Sequence, residues 1–184
     1  MNIILPKQAG TNEGALLFQK SEKVTDFDLG RKIIDSLKAT MDYYGGVGLA
    51  APQIGFSHRI FIVNIKSSQD DHPTATIGFH AYINPEILTV SSEVNGDSEG
   101  CLSLFYATIY GWVKRPIWIK MKYVDIKGKE HVEEIDSPFH ARVILHENDH
   151  LEGKVFLQRM QEEDFSTLCW DEKLDIRKNP NNQI

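Results

Sequence analysis

Five consecutive residues, His146-Glu147-Asn148-Asp149-His150, have the types and the spacing of a metal site. On an α-helix four residues turn the chain through about 400°, so the two histidines stand roughly 40° apart and one turn apart along the axis. Their imidazoles can converge on one ion, and Glu147 lies beside them, placed to take a proton from metal-bound water. A lone helical histidine is ordinarily a packed or solvated side chain. The whole H-E-x-x-H pattern points to a metal. His58, His72, His80, His131 and His140 lack such spacing and read as ordinary surface or core residues.

Two histidines leave the site incomplete, because a catalytic zinc-type centre has three protein ligands and one open position. The third histidine of the extended protease pattern would fall at Phe156, which cannot ligate. Glu162, Glu163 and Glu172 are available downstream, but only 34 residues follow His150. Upstream, Glu99-Gly100-Cys101-Leu102-Ser103 offers Cys101, whose thiolate suits a soft or borderline metal. Taken alone, a cysteine is more often a small buried hydrophobe, and Cys169 beside Trp170 is read that way. In Gly46-Val47-Gly48-Leu49-Ala50-Ala51-Pro52-Gln53-Ile54-Gly55 the glycines allow close backbone approach and the small residues leave room for a ligand. In isolation that segment is a glycine-rich turn entering a strand. It is no phosphate loop, since no Gly-Lys-Ser/Thr ending follows.

The elements that must position these residues can be read from periodicity. Thr25 is the expected cap of a first helix, whose apolar face is Leu29, Ile33, Leu37, Met41 and Tyr44 and whose stop is Gly45-Gly46. Residues 59–65 (RIFIVNI) are nearly all apolar, as in a strand buried on both faces. Ala81 to Ile83 leads into an expected turn at Asn84-Pro85. Ile117 to Tyr123 alternates with period two, and Lys127-Gly128 turns it into a hairpin with His131 to Ile135. Ser137 caps the metal helix, Pro138 fits its first position, and Gly153 stops it. Phe139, Val143, His146 and His150 lie on or near one face. A third helical stretch is expected from about Glu162 to Lys173. Residues 67–76 and 91–98 read as surface loops, and 178–184 as a frayed tail. Strands with few helices and no regular alternation indicate an α+β fold.

Composition sets the outer bounds. The chain has 184 residues and a formal net charge of -6, with 41% hydrophobic and 25% charged residues, the balance of one globular domain spanning 1–184. An acidic chain lacks the basic face that direct nucleic-acid readout needs. No apolar run is long enough to span a membrane. Two cysteines make no disulfide scaffold, and the N-terminus carries no secretory pattern, so the expected location is the cytoplasm.

Taken together and in order, GVGLAAPQIG, EGCLS and HENDHLEG resemble the three signature motifs of the peptide deformylases, and Ile83-Asn84-Pro85-Glu86 resembles that family's INP-type strand end. The resemblance runs from about Asp26 to Phe156. It implies antiparallel β-sheets around a central HExxH helix, with an N-terminal and a C-terminal helix. It implies Cys101, His146 and His150 as metal ligands and Glu147 as catalytic acid/base. It also implies that Gln53 and the backbone N–H of Leu102 bind the formyl oxygen, and that Gly48 lines the cleft. The implied reaction removes the formyl group from the formyl-methionine of nascent polypeptides and releases formate. The implied ion is Fe(II), with Zn(II), Ni(II) or Co(II) also suited to the donor set. Work beside the ribosomal exit tunnel follows only from the family role. Val47, Phe139 and Val143 are candidates for the wall of a methionine pocket, with core packing as the alternative, and Glu99 either pairs with Arg115 or the two stand as separate solvated charges.

The sequence also departs from that pattern. Leu104-Phe105-Tyr106 replaces the usual Pro or Gly after CLS, Leu145 replaces the usual Gln before His146, and Asn12-Glu13-Gly14-Ala15-Leu16 stands where Asp-Pro-x-Leu-Arg is usual. None removes a ligand or Glu147, so the expectation is an active enzyme with altered substrate preference. Two alternatives remain, a small HExxH metalloprotease and a non-catalytic binder with the same fold. The first leaves Cys101 and Gln53 unexplained. The second leaves Glu147 unexplained.

Overall fold

The computed structural model describes residues 3–65 and 77–178, so the loop expected at 67–76 and most of the expected tail lie outside the described residues. Helix α1 (Phe27–Tyr44) is capped by Asp26 rather than Thr25: the Asp26 side chain accepts from the backbone N–H groups of Asp28 and Leu29. A carboxylate at the N-cap satisfies otherwise unpaired donors and meets the positive end of the helix dipole. The helix ends as expected at Gly45, whose φ of 75° is open to glycine at little cost.

Five strands form one antiparallel sheet in the order β1 (Gly48–Ala50), β2 (Ile60–Ile65), β3 (Gly78–Val90), β6 (Ile119–Val124) and β7 (Glu130–Ile135). The apolar run of β2 faces both ways. Ile60 and Ile62 pack with Ile33, Leu37 and Met41 of α1, while Phe61, Val63 and Ile65 pack with Ala141, Ile144 and Leu151 of α2 (Pro138–Leu151). Side chains of a strand alternate between faces, so an inner strand under two helices must be apolar throughout. β6 and β7 form the expected hairpin, with Gly128 at φ 83° in its turn.

A second antiparallel sheet, β4 (Val94–Gly100), β5 (Ile109–Pro116) and β8 (Cys169–Trp170), carries the EGCLS segment to α2. Among the described residues the metal helix thus lies between the two sheets, and the α+β class is as expected.

Three local expectations need correction. Asn84-Pro85 is not a turn: β3 runs through it with a register shift, because the Asn84 side chain bonds the backbone N–H and C=O of Val24 at 2.8 and 2.9 Å. Most of 91–98 is strand β4, paired along its length with β5. The stretch 162–173 is not an α-helix but short 3-10 turns on either side of β8. Its polar groups are engaged by β5: Trp112 N–H donates to Thr167 Oγ1 at 2.9 Å, and Cys169 and Trp170 pair with Tyr110 and Ile109. Cys169 is exposed there, not a buried hydrophobe.

Candidate active site

Helix α2 sets the first half of the site. Ser137 Oγ accepts the His140 N–H and Pro138 occupies the first turn, so the helix starts cleanly and runs unbroken through His150. The regular pitch puts the His146 and His150 rings 5.2 Å apart between centroids. The second half comes from the end of β4, where Cys101 follows Gly100. Cys101 Sγ lies 3.3 Å from His150 Nε2, and one donor atom from each of Cys101, His146 and His150 lies within 4.8 Å of the others. Donors around one tetrahedral ion, at bond lengths of about 2.0–2.3 Å, stand roughly 3.3–3.8 Å apart. The Cys101–His150 separation is of that size, and the three donors together form a cluster that could hold one ion.

A buried charge network fixes this arrangement. Glu99 Oε1 accepts from Arg115 Nε at 2.9 Å and Arg142 Nη1 at 2.8 Å. Its Oε2 accepts from Arg115 Nη2 and His146 Nδ1, both at 2.9 Å. Arg115 continues to Asp149 Oδ2 at 2.6 Å, and Asp149 is also gripped by Arg159. The Glu99–Arg115 pair is thus present as a two-point contact, with both side chains 5% exposed. Charges this deep repay their desolvation only when nearly every polar atom is bonded, as here.

Because Nδ1 of His146 is held by Glu99, its Nε2 is left for the metal cluster. Leu145, just before His146, packs into the apolar cluster under α2, and the polar support of the His146 ring comes from Glu99.

The electrostatics suit a cation. Burial works to lower the His146 pKa, yet Cys101 and Glu99 outweigh it and hold the ring's pKa well above its ordinary value. Burial raises Glu99, but Arg115 and His146 keep its carboxyl far below the usual range. Burial, reinforced by His146, pushes His150 down to about 3, leaving the neutral imidazole that binds metals. The buried Nδ1 of His150 has no hydrogen-bond partner among the described residues.

Next to this cluster stands Glu147, 4% exposed, with Oε2 unpartnered among the described residues and its pKa pushed up to about 7, chiefly by burial. Gly48 faces it, and a Cβ there would stand 2.6 Å from Glu147 Oε1. Gln53 is oriented by Ala50 N–H, which donates to Oε1 at 2.8 Å. Its amide nitrogen is thereby turned toward Ser103 Oγ at 3.3 Å and Cys101 Sγ at 3.7 Å. Leu102 is anchored through its carbonyl oxygen, which accepts from Gln8 Nε2 at 2.9 Å.

A cavity of about 380 Å³ opens onto these groups, and Val47, Gly48, Gln53, Cys101, Leu102, Phe139, Val143, His146 and Glu147 all line it. His150 is fully buried and does not. Phe156 is also buried and stacks near His146, so the position of a protease's third histidine serves packing. Glu163 and Glu172 pair with Lys114 and Lys178 instead of joining the cluster.

Several contributors escaped the sequence reading. Arg142 carried a usable signal, an arginine one turn before His146 on an otherwise apolar face. Asp149 and Arg159 matter only through tertiary contact with Arg115. Gln8, Leu174 and Ile176, the last two also lining the cavity, have no local pattern that marks them.

Comparison with known proteins agrees with this geometry. The family model described as polypeptide deformylase matches residues 8–166. The peptide deformylase of Thermotoga petrophila is 39% identical over 146 residues, 79% of this chain and 81% of that protein. The crystal structure of peptide deformylase from Thermotoga maritima matches with TM-score 0.75 and 34% identity, covering 88% of this chain and 99% of that one. A class I type b peptide deformylase from Acinetobacter baumannii with Met-Ala-Ser bound matches with TM-score 0.76 and 31% identity, covering 86% and 100%.

Proposed function

The chain belongs to the polypeptide deformylase family, and from that premise we propose that Cys101, His146 and His150 hold one divalent ion while Glu147 moves the protons of the reaction. The activity is hydrolysis of the formyl amide of formyl-methionine on nascent polypeptides: the formyl C–N bond breaks, and formate and a free amine leave. The family is metal-dependent, and the Cys/His/His cluster is one that can hold an ion. When bound, such an ion supplies Lewis acidity and lowers the pKa of a coordinated water.

The remaining work falls to side chains of this protein. Glu147, with a carboxyl pKa near 7, takes a proton as water attacks the formyl carbon and returns it to the departing amine. The Gln53 amide and the Leu102 N–H donate to the developing oxyanion, each worth about 3 kcal/mol in the transition state. Glu99 keeps the His146 ring in one tautomer and orientation. Val47, Phe139 and Val143 form the wall for the methionine side chain, and Gly48 leaves the space in which Glu147 stands.

Fe(II) is our choice for the ion in the cell, with Zn(II), Ni(II) and Co(II) compatible with the same donors. The substrate class supports a cytoplasmic setting, beside the ribosomal exit where formylated chains emerge, and the family match over 8–166 supports one deformylase-like domain over 1–184. No helix among the described residues is long and apolar enough to cross a membrane.

The observation that carries the reading is the juxtaposition of the three donor atoms with a buried, half-unpartnered carboxyl at a cavity wall. It is tested by incubating metal-loaded protein with formyl-Met-Ala-Ser. One formate per peptide, with peptide bonds intact, is expected. Peptide cleavage would point to a metalloprotease, and neither product to a binder.

A further inference from the structure

The outer margin of the cleft is built by a segment that none of the three motifs reaches and that lies beyond the matched family region, which ends at residue 166. After β8 the chain runs from Asp171 to Lys178 as two short 3-10 turns. Asp171 N–H donates to Thr108 C=O at 2.9 Å, and the Asp171 side chain accepts from Lys173 N–H at 2.8 Å. At the far end Asp175 pairs with Arg177, whose guanidinium lies 4.0 Å from the centre of the Tyr106 ring.

The floor beneath this strap is itself unusual. Phe105, Tyr106 and Ala107 have φ of 47°, 59° and 70°, three successive non-glycine residues in the left-handed region. Each costs about 1–2 kcal/mol. The conformation is held by Tyr106 N–H donating to Gln8 Oε1 at 2.8 Å and by Thr108 Oγ1 donating to Phe105 C=O at 2.7 Å. It presents the Tyr106 ring to Arg177 and so seats the strap. The seated strap brings Leu174 and Ile176 to the cavity that also holds Cys101 and Glu147. Ile176 is buried, but Leu174 is 49% exposed, an apolar side chain left at the rim.

We infer that Leu174 and Ile176 determine peptide specificity by contacting apolar side chains in the residues that follow formyl-methionine. The inference rests on the deformylase reading of the cavity. On that reading the formyl group must reach Gln53 and Cys101, and the methionine side chain is taken by Val47, Phe139 and Val143 beside Glu147. The rest of the peptide must leave toward solvent, and Leu174 is a half-exposed apolar residue among those that line the cavity. Burying it against a substrate side chain removes both from water.

The test compares kcat/KM, measured by formate release, for formyl-Met-Leu-Leu and formyl-Met-Ser-Ser with the metal-loaded full chain. Leu174→Ala should lower the Leu/Ser ratio roughly five- to tenfold, mainly through KM. Leu174→Glu should lower it further and turn the preference toward formyl-Met-Lys-Lys. Leu88→Ala, at a comparably exposed leucine on β3 outside the cavity, should keep the ratio. A ratio unchanged in both Leu174 variants overturns the inference. A wild-type chain that releases no formate from any formyl-methionyl peptide would overturn the underlying function instead.

Discussion

At Gly48 a single added carbon would stand 2.6 Å from Glu147 Oε1 and 2.9 Å from its Cγ. Gly48→Ala must therefore displace the carboxyl, and misplacement by about 1 Å costs on the order of 10²-fold in rate. We expect formate release to fall by about that factor while bound metal, counted per chain by elemental analysis, stays at the wild-type level. Glu99 acts differently. Glu99→Gln leaves Arg115 and Arg142 without their shared carboxylate and weakens the support of His146 Nδ1. Stability in urea should fall by about 3–5 kcal/mol, and metal affinity by roughly 10–100-fold in competition with a chelator. The histidines were legible because helix pitch converts a spacing of four into proximity. Cys101 is a fold-dependent neighbour some forty-five positions away, and only the ordered resemblance of three motifs joined it to them. Arg142, Asp149 and Gln8 act through contacts between sheets, helix and N-terminal segment, which no local pattern encodes.

At the scale of elements, the start of α1 separates two adjacent candidates. Asp26, not Thr25, accepts from Asp28 and Leu29 N–H, at 2.9 and 3.0 Å. Asp26→Ala should cost about 1 kcal/mol in denaturant unfolding, whereas Thr25→Ala should change stability by less than about 0.5 kcal/mol. The periodic elements were readable because one apolar stripe or run must meet one core. That held for α1, α2, β2 and the β6–β7 hairpin. The misread segments are those where a side chain reaches another element. Asn84 zips to Val24 and carries β3 through an Asn-Pro that ordinarily turns the chain. Residues 91–98 look like a polar loop, yet 94–100 pair with β5 as β4, and Asn95 and Glu99 serve the network around Arg115 and Arg142. The 162–173 stretch shows helical spacing, but its backbone and Thr167 are claimed by β5.

At the scale of the whole molecule, the two sheets and α2 enclose titratable groups that tie stability to pH. His140, at the start of α2, is pushed down to about 4 by burial, with the charge of His80 adding to it, and shares a 3.2 Å hydrogen bond with Tyr82 OH. A histidine whose folded pKa is depressed contributes stability that is complete above its unfolded pKa of about 6.5. That contribution is lost as pH falls toward the folded value. Wild type should therefore lose about 2–3 kcal/mol more than His140→Gln between pH 6.5 and 4, measured by urea unfolding of both proteins at matched metal content.

The ligand cluster and Glu147 are separable parts of one machine, and Glu147→Gln takes them apart. Metal per chain and formate release are determined on the same preparation. One ion per chain should be retained, and formate release from formyl-Met-Ala-Ser should fall by about 10²–10⁴-fold. Wild-type turnover in the variant, or loss of the ion along with the activity, would contradict that separation.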